Sequence, residues 1–317
     1  MPPTRVGVIG VGHLGYHHAR LYAGLPDVAL AGLVDTDAAK AATVAGEFGT
    51  RSFASVQEMV SAGIDAVSVA APTTVHHSLT RDLLRAGVDV LVEKPIAKTA
   101  GEAEDLVRLA REHRRILQVG HVERFNGAVI ALRQAVKQPR FIECHRLSPY
   151  SKRGDDVSVV FDLMIHDLDI VRALDGSEVV SIDAVGVSVF SAFEDIANAR
   201  IRFASGCVAN LTASRVSVER MRKIRIFETN AYVSTSYSDQ EVLMYRKMPG
   251  PLSPDQDPME AIQIESLPVT KEEPLRLELE SFVACVRNRK RPEVSGEDGL
   301  AALSLAQRIV DFIREHS

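Results

Sequence analysis

A chain of 317 residues is long for one domain and sufficient for two, and a composition 46% hydrophobic and 25% charged is that of an ordinary soluble globular protein. Its formal net charge of −5 lacks the basic excess expected of a nucleic-acid binder. The cysteines, Cys144, Cys207 and Cys285, are far apart without a C-x-x-C pair, and no apolar run approaches the ~20 residues of a membrane span, so a reduced, cytoplasmic setting with neither nucleic acid nor membrane as partner is expected.

Residues 5–10 (RVGVIG) read as a strand, 13–25 as a helix and 28–35 (VALAGLVD) as a second strand. A helix is expected over 37–48, a strand over 65–71, a helix over 76–87, a strand over 89–95 (DVLVEKP), a helix over 100–115 and a strand over 116–121. Apolar runs alternating with helices in this way predict a parallel, doubly wound sheet covered on both faces, so residues 1–121 form the first expected domain. The pattern then changes. A helix is expected over 123–136, a strand over 140–150 and a helix over 158–176 ended by Gly176. The β-rich stretches 179–190, 197–216, 223–237 and 241–247 follow, with tight turns and no helices between them. They predict an α+β domain over 122–317 built on an open, mostly antiparallel sheet. Residues 249–258 hold four prolines and read as an exposed loop, and two closing helices, 275–289 and 299–316, could pack back on the first domain.

Gly10, Gly12 and Gly15, with Val11, His13 and Leu14 between them, make a G-x-G-x-x-G run that leaves a strand and opens a helix. In a dinucleotide-binding loop the first glycine permits the tight turn and the second lets the pyrophosphate approach; the third lets helix and strand pack closely. Asp35, 20 positions beyond Gly15, stands where a carboxylate accepts from both ribose hydroxyls. It would repel a 2′-phosphate, and Thr36, Asp37 and Ala38 offer no arginine to neutralise one; Lys40, the nearest cation, already belongs to the next helix. NAD is therefore the expected cofactor. Ligands of doubly wound sheets bind at the carboxyl ends of strands, so Glu93-Lys94-Pro95 and the preceding strand end, with Ala71, Pro72 and His76, face the same crevice. A solvated lysine capping a strand is the competing reading of Lys94.

Asp162 and His166 are four apart on an expected helix and share a face, which places a carboxylate beside an imidazole able to take a hydroxyl proton. A structural histidine is the alternative. Asp167 and Asp169 read as solvated helix carboxylates. No metal is expected: His17-His18 and His76-His77 are adjacent pairs whose side chains diverge, and neither H-E-x-x-H nor a Cys/His cluster occurs.

Gly10-Val11-Gly12, Glu93-Lys94-Pro95 and Asp162-x-x-x-His166, in that order, resemble the motifs of the Gfo/Idh/MocA oxidoreductases, the family of glucose–fructose oxidoreductase and inositol dehydrogenase, over nearly the whole chain. The resemblance implies a Rossmann domain that binds NAD, followed by a domain whose open sheet face mediates assembly into a homo-dimer or homo-tetramer. It implies that Lys94 and His166 handle the proton, either one as acceptor, that Asp162 contacts the substrate, and that Pro95 fixes the backbone beside Lys94. GHVERFN (120–126) and the stretch from Ser148 to Val171 are similar to bacterial UDP-N-acetylglucosamine 3-dehydrogenases and their kin. That similarity implies oxidation of a UDP-sugar to a 3-keto sugar nucleotide feeding 3-amino sugar and lipid A synthesis. Arg124, Asn126, Tyr150, Lys152 and Arg153 then join Asp162 and His166 as substrate-binding candidates. Lys152 and Arg153, with Arg124 and Arg146, could hold a diphosphate by charge-assisted hydrogen bonds, or could form a solvated basic loop. A dehydrogenase of a free sugar, inositol or related polyol is the alternative enzyme. A non-catalytic NAD(H)-binding regulator is disfavoured, because it should have lost Lys94 or His166.

Overall fold

In a computed structural model of the chain, which describes residues 2–151, 154–237, 239–250 and 257–316, residues 1–122 join 273–304 in one unit, and 123–272 join 305–317 in another. The first unit alternates strand and helix: β1 (Thr4–Ile9), α1 (His13–Gly24), β2 (Val28–Val34), α2 (Ala38–Glu47), α3 (Val56–Ser61), β3 (Ala66–Val69), α4 (His76–Arg85), β4 (Asp89–Glu93), α5 (Ala100–Glu112) and β5 (Leu117–Gly120). A 3₁₀ turn, Val122–Phe125, precedes α6 (Gly127–Ala135) and β6 (Phe141–Leu147), and a π-helical turn, Val160–Met164, runs into α7 (Ile165–Asp175). The strands β7 (Val179–Val187), β8 (Ile196–Phe203), β9 (Val208–Ser214), β10 (Met221–Phe227), β11 (Ala231–Ser236), β12 (Glu241–Lys247) and β13 (Ile262–Ser266) follow, and α8 (Pro274–Asn288) and α9 (Gly296–Glu315) close the chain.

Among the described residues the first unit holds a five-stranded parallel sheet of order β2-β1-β3-β4-β5. Side chains alternate across a strand, yet β3, β4 and β5 are buried from end to end, so both faces of the sheet are covered. On one face α1 and α8 pack Tyr22, Leu279 and Phe282, all fully buried, against Val6, Val8 and Leu33. Truncating such a core aromatic, as in Phe282→Ala, should cost about 3–5 kcal/mol. The chain leaves β1 for β2 on one side and returns to β3 on the other. The order therefore reverses between β1 and β3, at whose carboxyl ends doubly wound sheets bind ligands.

The second unit holds an eight-stranded sheet among the described residues, of order β13-β12-β11-β10-β6-β9-β8-β7, antiparallel at every pairing except β6 with β9. The period-two pattern is plain in β8, where Ala197, Ala199, Ile201 and Phe203 are buried while Asn198, Arg200 and Arg202 are exposed. On the exposed face Phe141, Phe227, Tyr232 and Tyr245 lie in register across four adjacent strands, with ring centroids 5.7, 4.7 and 5.1 Å apart. No helix among the described residues is long and apolar enough to cross a membrane.

Several elements differ from expectation. α3 is only 6 residues long, too short to show a helical period, although Ser55 accepts the Glu58 N–H and Glu58 accepts the Ala54 N–H in a capping-box pattern. β13 is an edge strand, and its mostly exposed residues show no buried alternation. The helix expected over 123–136 is interrupted at Asn126, and that over 158–176 begins with the π-helical turn.

Candidate functional site

Gly10, Gly12 and Gly15 connect β1 to the first turn of α1, and each is glycine for a different reason. Gly10 has φ +83°, and a Cβ there would lie 2.7 Å from the Ala70 carbonyl oxygen. At Gly15 a Cβ would meet the Gly10 carbonyl oxygen at 1.7 Å, so only a residue without a side chain lets α1 lie this close to the loop. Gly12 has φ −63° and a Cβ would meet no protein atom within 4 Å. Protein packing therefore makes no demand for glycine at 12; the open approach suits a pyrophosphate. The first-turn N–H groups of α1 stand beside it, His13 and Leu14 are exposed, Val11 is buried, and no acidic side chain occupies that turn.

Asp35 follows β2 directly. Its Oδ2 accepts the Val11 N–H at 2.7 Å and its Oδ1 the Asp37 N–H at 2.9 Å. Burial works against its charge, but those N–H groups, with the Lys40 charge and the Thr36 hydroxyl, hold the carboxyl below its ordinary range. An ionised carboxylate tied to the glycine loop fits the ribose hydroxyls of NAD and opposes a 2′-phosphate. Among the described residues no group of three or more His, Cys, Asp or Glu side chains could hold a metal ion.

β4 ends in Glu93, and the Lys94–Pro95 peptide that follows is cis. Lys94 is half-buried. The side chains of Glu93 and His76, expected at the cofactor, have protein partners. Glu93 is 8% exposed, and its Oε1 lies 2.9 Å from Nε2 of the fully buried His18. Burial alone would push this carboxyl up; the His18 hydrogen bond and the charges of His18, Lys94 and His76 hold it below the usual carboxylate range. His76 is 1% exposed, with Nδ1 2.8 Å from the Pro95 carbonyl oxygen and Nε2 2.8 Å from that of Ala71. His18 and His76 are the inward members of two adjacent histidine pairs, since neighbours on a helix diverge; His77 turns outward to Asp105 at 2.9 Å. That divergence was the available signal for His18, which sequence reasoning had not assigned to the site. Ala71 is half-buried and Pro72 exposed, just beyond β3.

In the second unit His166 lies in the first turn of α7 and Asp162 in the π-helical turn before it, a wider coil that recurs at functional sites. Both are half-buried. Asp162 lies against Gly154, where φ is +78° and a Cβ would come 2.7 Å from the Asp162 Oδ2. Arg215, 3% exposed, fixes this loop by donating to the carbonyls of Gly154 and of Val157, the latter at 2.8 Å, and its Nε donates to Oδ1 of Asp195 at 2.8 Å. Burial opposes the charge of Asp195, but the N–H groups of Ser191, Phe190 and Val189 together with Arg215 hold its carboxyl far below the ordinary range. This pair was invisible in the sequence. The β8–β9 hairpin creates it by setting Ile196 opposite Ser214.

Asp167 and Asp169, expected to be solvated, are each 2% exposed. Asp169 accepts two hydrogen bonds from Arg124, at 2.7 and 3.1 Å. Asp167 accepts two from Arg146, at 2.9 and 2.8 Å, and Arg146 gives a third to Glu123 at 3.0 Å. Arg124 and Arg146, named with the diphosphate, are 5% and 3% exposed, and these bonds go to carboxylates that could not stay buried unpaired. They pin the helix carrying His166 to β6 and to the 3₁₀ turn. Asn126, expected beside nicotinamide or substrate, is buried and caps α6, its Oδ1 accepting the Ala128 N–H at 3.0 Å. Tyr150 is 36% exposed and donates to Asp155 at 3.0 Å. Lys152 and Arg153 lie outside the described residues.

Comparison with known proteins adds identity to this geometry. Residues 4–121 match a family model described as oxidoreductase family, NAD-binding Rossmann fold, and residues 114–234 match the GFO/IDH/MocA C-terminal domain. A UDP-N-acetylglucosamine 3-dehydrogenase of Acidithiobacillus ferrooxidans is 37% identical over 306 residues, 96% of each chain. An inositol 2-dehydrogenase of Rhizobium meliloti is 27% identical over 98% of this chain and 97% of its own. The solved structure of UDP-N-acetylglucosamine 3-dehydrogenase GnnA from Acidithiobacillus ferrooxidans matches with a TM-score of 0.92 at 35% identity, over 99% of both chains.

Proposed function

The chain belongs to the Gfo/Idh/MocA family of NAD-binding oxidoreductases, and on that premise we propose that it oxidises the C3 hydroxyl of a UDP-sugar, UDP-N-acetylglucosamine, to the 3-keto sugar nucleotide. The observation that carries the substrate is the end-to-end similarity to the Acidithiobacillus ferrooxidans dehydrogenase, which joins both units in one alignment. The glycine loop and Asp35 would hold NAD, which would supply the hydride acceptor.

In this reading His166 takes the proton of the C3 hydroxyl, and Lys94 donates a charge-assisted hydrogen bond to the same oxygen as negative charge develops there. The two groups could exchange these roles. Asp162 orients the sugar, and Tyr150, Lys152 and Arg153 are candidates for the nucleotide part of the substrate. The product would feed an aminotransferase that makes a 3-amino sugar for lipid A. Three free, buried cysteines suit a reducing, cytoplasmic setting. The aromatic ladder on the open sheet face supports burial of that face in a homo-dimer or homo-tetramer. The inositol 2-dehydrogenase likeness supports a second reading, a dehydrogenase of a free polyol.

The test is NADH formation from NAD with UDP-N-acetylglucosamine, myo-inositol or glucose, with an aminotransferase present to remove the ketone. Turnover of the UDP-sugar alone is expected, with Lys94→Ala and His166→Ala each lowering kcat by about 10²–10³-fold. Turnover of a free polyol alone would overturn the substrate while leaving the family intact.

A further inference from the structure

Lys94 sits between two residues that are each held by a buried histidine. On one side, Glu93 is bonded by His18 at 2.9 Å. On the other, the ring of His76 lies between two carbonyls, with Nδ1 2.8 Å from that of Pro95 and Nε2 2.8 Å from that of Ala71, just beyond β3. We propose that His18 and His76 are positioning residues that fix Lys94 for proton chemistry, an inference that rests on the reading of Lys94 given above.

The local geometry favours this over a purely stabilising role. Glu93 pairs in register with Gly120 on β5, and a Cβ at Gly120 would lie 2.9 Å from the Glu93 Oε2, so glycine at 120 leaves room for the carboxylate to turn toward His18. His18 comes one helical turn after Gly15, the residue that locks α1 against the loop, so its ring has a rigid base. An ionised Glu93 only accepts, which puts the shared proton on Nε2 of His18. Nδ1 of His18 is then a buried ring nitrogen with no hydrogen-bond partner among the described residues, and such an atom costs stability. An apolar side chain of similar size would avoid that cost but would leave the buried Glu93 carboxylate without this partner. What the imidazole supplies is one directed hydrogen bond to the residue preceding Lys94. His76, packed between the Pro95 and Ala71 carbonyls, ties the residue after it to the segment beyond β3. A shift of ~1 Å in a reacting group can lower a rate by ~10²-fold, so pins on both flanks of Lys94 matter more for kcat than for binding.

The experiment compares His18→Leu, which keeps bulk and loses the donor, with His18→Gln, which restores a donor, each in wild-type and Lys94→Ala backgrounds. His18→Leu should lower kcat about 10–100-fold while NAD affinity, measured by calorimetry, stays within about 2-fold. His18→Gln should recover part of the rate. In the Lys94→Ala background His18→Leu should change the residual rate less than about 2-fold, because its effect acts through the missing amine. If His18→Leu does not fold, His18→Asn, which keeps an amide too short to reach Glu93, carries the same comparison. Full kcat in the His18 variants beside an inactive Lys94→Ala would overturn this inference alone, and so would equal losses in both backgrounds. Full activity of Lys94→Ala would instead remove the proposed role of Lys94, and with it the premise for positioning.

Discussion

Adding one methyl group at each glycine of the nucleotide loop should separate folding from cofactor binding. At Gly15 the new Cβ would lie 1.7 Å from the Gly10 carbonyl oxygen, 2.8 Å from its carbon and 3.3 Å from the Ala70 Cβ. The first two atoms are backbone, so α1 itself would have to move by about 1 Å or more. Overpacking of this kind costs ~1–3 kcal/mol, against a gain of only ~0.5–1 kcal/mol from replacing glycine by alanine within a helix. Gly15→Ala should therefore melt several degrees lower. Gly12 meets nothing within 4 Å at φ −63°, and losing glycine at an N-cap costs at most about 1 kcal/mol. Gly12→Ala should fold nearly as well as wild type but bind NAD at least about 10-fold more weakly, because the methyl group stands where the pyrophosphate approaches. Thermal melting without cofactor and calorimetric titration with NAD give both numbers. Equal destabilisation by the two substitutions, or wild-type NAD affinity in Gly12→Ala, would refute the assignment of Gly12 to the ligand.

Arg146→Met should cost about 3–5 kcal/mol in urea unfolding, because Asp167 and Glu123 would stay buried without their cation. A triple variant that also carries Asp167→Asn and Glu123→Gln should lose less; an equal loss would assign the cost to packing. Asp35→Ser should weaken NAD binding about 10-fold or more and narrow the preference over NADP, as read by calorimetry with each dinucleotide; an unchanged ratio would contradict the role given to the carboxylate. The folded Asp195 carboxyl lies below its unfolded value, so its stabilisation is fully present above about pH 4 and is lost as pH falls toward the folded value. The stability gap between wild type and Asp195→Asn should be flat above about pH 5 and narrow on acidification, and a gap that widens in acid would contradict this linkage.

Features set by neighbours in the chain were legible in advance. The glycine spacing at residues 10–15, Asp35 at the end of the second strand and the apolar runs of the parallel sheet each express a local rule of turn geometry, strand ends or burial on two faces. The doubly wound sheet and the open, mostly antiparallel one followed from those patterns, and the sheet orders agree with them. The short α3 and the edge strand β13 did not follow, because neither is long or buried enough to carry a period.

The fate of charge was a different matter. Asp167 and Asp169 read as solvated because most helix carboxylates are, yet the cations that bury them come from β6 and the 3₁₀ turn, 21 and 45 residues away. Arg124 and Arg146 looked available for phosphate for the same reason. Likewise His18 and Glu93 are 75 residues apart in sequence and 2.9 Å apart in the fold. Propensity and periodicity reach over a few residues, so the sequence alone determined the two sheets, the glycine turn after β1 and the carboxylate that follows β2. Whether a charged side chain faces water or a counter-charge depends on which segments the fold brings together, and only the tertiary structure decided that.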